Sequence, residues 1–444
     1  MDKAGNLLVR GGRVFQEGDL PLRDLRIRAG RIVELGSGLK AAADEESLDL
    51  DGLVVLPGML DSQVHFREPG LTHKEDLGSG SRAAIAGGVT SYMEMPNTRP
   101  ATVDAASLAD KIERARASSW ADFAFFMGAT ADNARELGQL ERLPGCAGVK
   151  IFMGSSTGSL LVDDAEDLRT VLAHGTRRVA VHAEDNARLL ELKALHGKQA
   201  DHPRWHTRLR DPECARLAVE RLVETALACG RPVHVLHTNS REEMELLERW
   251  RGNPLVTVET TPQHLLMTAP GCYEELGSHA QMNPPVREAE HGKALWAALR
   301  SGLITVIGSD HAPHTLEEKA RDYPECPSGM PGVETVLPVL LDQVSHGRLG
   351  LDDLVRLYSE GPARIYGVLG KGRLARGFDG DLAIVDPDER WAVRAEHLQS
   401  RAGWTPWEGR ELCGRVKATV LRGNLVWREG VFLGSPQGQP LRYL

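Results

Sequence analysis

Between residues 54 and 309 the chain alternates apolar runs with amphipathic stretches eight times. The apolar runs fall at 54–66, 89–95, 121–128, 146–153, 178–183, 231–237, 255–261 and 303–309. Helical spacing fills the intervals: 74–86, 105–117, 132–142, 163–174, 185–196 with 211–228, 240–250 and 288–300. Two more helical stretches follow at 334–346 and 351–359. Asp104 and Ser240 stand where helices should begin, with side-chain oxygens able to take the first free N–H groups. Strands separated by helices pair in parallel, and eight such units close into an α/β barrel of the (β/α)₈ type. The alternative, an open doubly wound sheet, is disfavoured because no G-x-G-x-x-G turn follows the first strand.

The flanks read differently. Leu7–Val9, Arg13–Gln16, Leu25–Ala29 and Arg31–Leu35 are short strands, with Gly11-Gly12 and Gly30 at the turns. Near the other end, Val420-Leu-Arg-Gly-Asn-Leu-Val-Trp-Arg-Glu-Gly430 repeats the pattern of Leu8-Val-Arg-Gly-Gly-Arg-Val-Phe-Gln-Glu-Gly18. The two ends are therefore expected to share one small β-sandwich domain, built from residues 1–57 and 366–444, around a barrel of residues 58–365.

A barrel places its chemistry at the C-terminal ends of its strands. His65 and Arg67 end the first strand, and Met95-Pro-Asn97 the second. His182-Ala-Glu-Asp ends the fifth, His237-Thr-Asn the sixth, and Ser309-Asp310-His311-Ala-Pro-His314 the eighth. Strand alternation would put Asp61, Gln63, His65 and Arg67 on one face. It also sets His237 against His234, and Asp310 against His311; His237 and Asp310 are the ones expected to face the mouth. His264 and His174 read as structural. Imidazoles with a carboxylate suit zinc or a similar divalent ion. Lys150 interrupts the apolar run Gly148-Val-Lys-Ile-Phe-Met, where an ammonium is costly. A neutral Lys150 can take up carbon dioxide as a carbamate, whose two oxygens can bridge two metals.

Charge and cysteine usage narrow the partners. A net charge of -9 without a basic stripe argues against nucleic acid. No apolar run reaches membrane-spanning length, and the opening Met-Asp-Lys-Ala-Gly-Asn lacks the apolar core of a leader. Cys146, Cys214, Cys229, Cys272, Cys326 and Cys413 form no C-x-x-C pair, as expected of reduced thiols in the cytoplasm.

Together these motifs resemble the dihydroorotases of the amidohydrolase superfamily. The resemblance rests on His65-Phe-Arg67-Glu-Pro-Gly, Met95-Pro-Asn97-Thr, His182-Ala-Glu-Asp, His237, Met282-Asn283-Pro-Pro and Asp310-His-Ala-Pro-His314. Gly377-Phe-Asp-Gly-Asp381 is similar to the family's return into its small β-domain. The resemblance implies reversible closure of N-carbamoyl-L-aspartate to L-dihydroorotate in pyrimidine biosynthesis. It implies one or two zinc ions on His65, carboxylated Lys150, His182, His237 and Asp310, with Asp310 as the proton carrier. Arg67, Asn97 and His314 would hold the substrate carboxylate; Asn283 and the backbone at Ser328-Gly329 would meet the ring. It also implies a homodimer and leaves room for an association with aspartate transcarbamoylase. The family's usual His-x-His on the first strand is here Gln63-Val-His65. Gln63 is a weaker ligand, so the more buried ion should be held less tightly. The rival readings are a hydantoinase or allantoinase, an inactive subunit supporting aspartate transcarbamoylase, and a structural protein of the dihydropyrimidinase-related kind.

Overall fold

The computed structural model describes residues 5–154 and 160–444; the opening Met-Asp-Lys-Ala lies outside them. Five strands begin the chain: β1 (Leu7–Val14), β2 (Leu22–Arg28), β3 (Arg31–Gly36), β4 (Glu46–Asp49) and β5 (Val54–Pro57). Eight follow: β6 (Met59–Val64), β7 (Val89–Glu94), β8 (Asp122–Gly128), β9 (Cys146–Phe152), β10 (Val179–His182), β11 (Val233–Val235), β12 (Val256–Thr260) and β13 (Val306–Ile307). Four end it: β14 (Leu382–Ala392), β15 (Glu411–Leu421), β16 (Asn424–Arg428) and β17 (Val431–Phe432).

Strands β6 to β13 are neighbours in unbroken chain order, and each pair is parallel. A parallel bridge between Val64 and His311 closes the seam, where the His65 N–H donates to the His311 carbonyl at 2.8 Å. This is the expected (β/α)₈ barrel. The apolar run at 54–66 is two strands rather than one. It passes from the terminal sheet to the barrel at Pro57-Gly58, where a Cβ on Gly58 would lie 2.2 Å from the Thr90 hydroxyl.

Helices start as their caps dictate. Asp104 and Ser240 form capping boxes with Ser107 and Glu243. The helix Pro212–Cys229 begins on Asp211 and stops at Gly230, whose φ of 64° is left-handed. Two expected helices differ. Residues 132–142 keep only the turn Leu137–Leu140, because Asn133 spends its amide on the Val103 and Gly128 carbonyls. Residues 351–359 pass into a widened turn, Arg356–Glu360, which aims the Tyr358 hydroxyl at Asp61 at 3.0 Å.

Both termini lie in one nine-stranded sheet, with β17-β16-β15-β14-β5-β1-β2-β3 side by side and β4 also paired to β1. The layers of the expected sandwich are thus one continuous sheet, closed on a core that includes Val9, Ile27, Leu382, Ile384 and Val420. The last residues return to the barrel floor. Phe123 of β8 accepts from Leu441 N–H at 2.8 Å and donates to Gln439 C=O at 3.0 Å. Ala363, Tyr366, Val368 and Leu441 pack with the interior residues Leu60, Met93, Phe126 and Ala180. The floor is therefore plugged, and the opposite end is left for chemistry.

Beside that floor, Asp122, Asp379 and Asp381 converge closely enough to suggest a cation site. Its cation is Lys371, whose ammonium lies 2.6 Å from Asp122, 3.2 Å from Asp379 and 2.5 Å from Asp381. Among the described residues no helix is long and apolar enough to cross a membrane.

Candidate active site

Three residues at the mouth have left-handed backbones: Arg67 (φ 67°), His237 (φ 36°) and Asp310 (φ 46°). Such conformations strain residues other than glycine, and they gather where function needs a side chain aimed against the strand's habit. The site departs from simple alternation in two places, and the left-handed backbone of His237 accounts for the first. His234 faces the barrel interior, bonded to Thr257 at 2.8 Å and close to Glu259 at 3.2 Å. Leu236 also joins the interior core, so alternation would turn His237 outward; its positive φ turns it back in. Both histidines therefore point inward, at different depths. Asp61 does not share a face with Gln63. It accepts the Gln63 N–H at 3.1 Å, and the β6–β7 register shifts between Asp61 and Val64. That local turn sends Asp61 outward to Tyr358 and Ser309.

The inward groups collect at two poles. At the first, His182 Nδ1 and His237 Nε2 are 3.0 Å apart. His182 gives its Nε2 hydrogen to Glu184 at 2.8 Å, which leaves Nδ1 as a bare lone pair. Glu184 is in turn ion-paired with Arg210. Burial raises the Glu184 carboxyl, but Arg210 and His182 outweigh it and hold the group ionised. Burial, then the neighbouring His182 and Lys150, push His237 well below its ordinary range. Lys150 of β9 lies beside the Phe152 ring, 4.5 Å from its centre. Burial pulls its amine down to about 7, against the opposing pull of Asp310 and Glu259. A substantial share is then the neutral amine, whose nitrogen lone pair can attack carbon dioxide and release a proton to form the carbamate.

At the second pole, His65 Nε2 faces Asp310 Oδ1 at 3.3 Å. Asn97, expected on the substrate, accepts the His65 Nδ1 hydrogen through its amide oxygen at 2.8 Å and so fixes that ring. Gln63 donates its amide N–H to the same Asp310 oxygen at 3.1 Å. The Gln63 amide oxygen is buried without a partner. His311 turns away, with Nδ1 accepting from Gly332 and Val333 and its ring edge on Phe66.

Beside these poles sits a cationic recess. Arg67 donates Nε to the Pro313 carbonyl at 3.1 Å, and its Nη2 lies 3.3 Å from His314. Burial lowers this guanidinium only to about 10, so it stays charged at neutral pH. His314 meets the Lys74 ammonium through Nδ1 at 3.0 Å and donates Nε2–H to the Ser328 carbonyl at 3.0 Å. The Gly329 N–H is already given to Gln281 at 2.8 Å. A Cβ at that residue would lie 2.4 Å from the Ala312 carbonyl. Asn283 accepts from His206 at 2.8 Å.

Several residues escaped the sequence reading. Glu184 stood inside the quoted His-Ala-Glu run but was given no task. Glu259 carries the very signal that singled out Lys150, one ionisable group in an apolar strand. It accepts from Ser62 at 3.1 Å, and burial lifts it to about 8. Lys319 is fully buried and donates to the carbonyls of Pro327 (2.9 Å), Gly329 (3.1 Å) and Gln281 (3.3 Å), which shapes the 327–329 loop.

The donor set suits a divalent ion. Two imidazole nitrogens meeting at 3.0 Å share the N–H of one neutral ring or, with that hydrogen moved to the other nitrogen, offer two lone pairs to a cation. His182, His237 and a carboxylated Lys150 would hold one ion; His65 and Asp310 face a second position.

A model of the amidohydrolase family matches residues 54–426. The chain is 38% identical over 440 residues to a dihydroorotase of Methanosarcina mazei, covering 96% of this chain and 95% of that one. It is 36% identical over 458 residues to an allantoinase of Rubrobacter xylanophilus, covering 99% and 98%. Among solved structures, the L-hydantoinase (dihydropyrimidinase) of Arthrobacter aurescens superposes with a TM-score of 0.93 at 26% identity, covering 98% and 99%.

Proposed function

This chain belongs to the amidohydrolase family, and within it we propose that it is a dihydroorotase. It closes N-carbamoyl-L-aspartate to L-dihydroorotate and, in reverse, opens the ring. Relatives named dihydroorotase at 38%, 36% and 37% identity over nearly the whole chain support this reading. The observation that carries it is Arg67, a buried guanidinium in the mouth with Nε anchored on Pro313 and its other two nitrogens left for a carboxylate. A neutral hydantoin has no carboxylate to match it.

The residues divide the work. Arg67 grips the carboxylate, with His314 and Lys74 lining the recess beside it, and sets the ring carbonyl against the two poles. His182, His237, Lys150 carbamate, His65 and Asp310 are the groups that would hold metal, as members of this family generally do. A divalent ion there supplies Lewis acidity and an activated water near neutral pH. Glu184 and Asn97 fix the rings of His182 and His65, so their free nitrogens already face inward. In the opening direction Asp310 takes the proton of the attacking water and passes it to the departing ring nitrogen. Zinc is the ion we propose, on the imidazole-rich donor set.

The six free cysteines fit a reducing cytoplasm. The homodimer and the aspartate transcarbamoylase partner are read by light scattering of the protein alone and mixed with that enzyme. The activity is tested by offering zinc-loaded protein L-dihydroorotate, hydantoin and allantoin in parallel. Turnover of dihydroorotate above both others is expected. Preference for allantoin or hydantoin would overturn the assignment, and turnover of none would favour an inactive subunit.

A further inference from the structure

We infer that Gln63 makes this a centre for one tightly held divalent ion, with the amide N–H of Gln63 holding Asp310 in place of a second cation. The inference rests on the metal-site reading above and extends it to stoichiometry. Donors decide it. The first pole offers His182 Nδ1, His237 Nε2 and Lys150, with His182 locked in its ligating tautomer by Glu184. The second offers His65 Nε2 and Asp310 Oδ1, 3.3 Å apart, and at most one oxygen shared from a Lys150 carbamate. Gln63 stands beside them but presents the wrong end. An amide facing a carboxylate oxygen at 3.1 Å must present its N–H, and an amide nitrogen has no lone pair to give a metal.

Turning the amide over would aim its oxygen at the same Asp310 oxygen, two acceptors face to face. Only a cation between them would relieve that contact. Even then the ligand gained is a neutral amide oxygen, less suited to zinc than imidazole. A second ion must therefore break the Gln63–Asp310 hydrogen bond and settle for a poorer shell. The first ion displaces only the His182–His237 contact, and both nitrogens then turn lone pairs to the metal. Asp310 keeps its orientation in the one-ion state because Gln63 donates to it. The carboxylate is thus placed for proton transfer without the neighbour that would otherwise orient it.

The test is a metal count on the full-length protein. Protein loaded with excess zinc in bicarbonate buffer is passed over a weak chelating resin, and the retained zinc is measured by mass spectrometry. One equivalent per chain is expected for the native protein, and two for Gln63→His. Gln63→Leu, which deletes both amide groups, should still retain one. Two equivalents in the native protein would overturn the inference, as would none with a native circular dichroism spectrum. One in Gln63→His would show that residue 63 does not set the number, and none in Gln63→Leu would make Gln63 a ligand. Dihydroorotate turnover, measured separately, separates this from the activity assignment. One retained equivalent without turnover leaves the stoichiometry standing and removes the activity.

Discussion

Replacing Arg67 by lysine keeps the charge and removes the fork. In the structure Arg67 uses Nε to anchor on the Pro313 carbonyl at 3.1 Å, which holds the guanidinium plane and frees its two terminal nitrogens. A lysine has one nitrogen and must either keep the anchor or meet the carboxylate. At least one charge-assisted hydrogen bond is lost, worth about 1.5–3 kcal/mol. At about 1.4 kcal/mol per tenfold, kcat/KM for dihydroorotate should fall roughly 10- to 150-fold. Most of the loss should be in KM, because the carboxylate is bound in ground and transition state alike. Steady-state kinetics at matched zinc content measures this, with circular dichroism to confirm the fold. Any slow turnover of hydantoin, which lacks the carboxylate, should be unaffected by Arg67→Lys. Unchanged constants for dihydroorotate, or an equal loss on hydantoin, would refute the carboxylate role.

Asp310→Asn should lower kcat by roughly 10²- to 10⁴-fold while the fold persists. His311→Gln serves as control, since that ring lies on the Phe66 side, and it should change kcat little. Glu184→Gln keeps the shape but removes the charge facing His182 Nε2; zinc affinity, titrated against a competing chelator, should weaken by roughly 10- to 100-fold. Lys371→Met leaves Asp122, Asp379 and Asp381 without their shared ammonium. Urea unfolding should show a loss of about 3–5 kcal/mol, and a change near zero would mean that the neighbouring arginines suffice.

The barrel was legible because its signal is local and repeated: apolar runs of strand length separated by helical spacing. Lys150 was legible for a related reason, since an ionisable group in a buried strand is conspicuous. Where alternation failed, the cause was backbone geometry that composition does not reveal. His237 and His234 should oppose each other, yet a φ of 36° at His237 brings both inward. Asp61 left the face of Gln63 because its own carboxylate captured the Gln63 N–H. The task of Gln63 was hidden for another reason. Its partner Asp310 is 247 positions away, and only barrel closure brings the two together. The resemblance put Asn97 on the substrate. That its amide oxygen also fixes the His65 ring depends on how that ring is turned, which spacing cannot show.

The sheet that joins the two ends of the chain has a consequence for synthesis. β5 pairs with β14, and roughly 320 residues must leave the ribosome between them. At roughly 5–20 residues per second, β1 and β5 wait tens of seconds beside an unfilled sheet position. Val420, which joins the same core from β15, arrives later still. The barrel floor waits longer again, because Leu441, which packs there, follows β17 in the chain. A nascent chain of this kind carries open strand edges throughout translation, exposed to pairing with neighbours on the same polysome. Stalling between β13 and β14 would therefore aggregate this protein more readily than a point defect in the finished barrel.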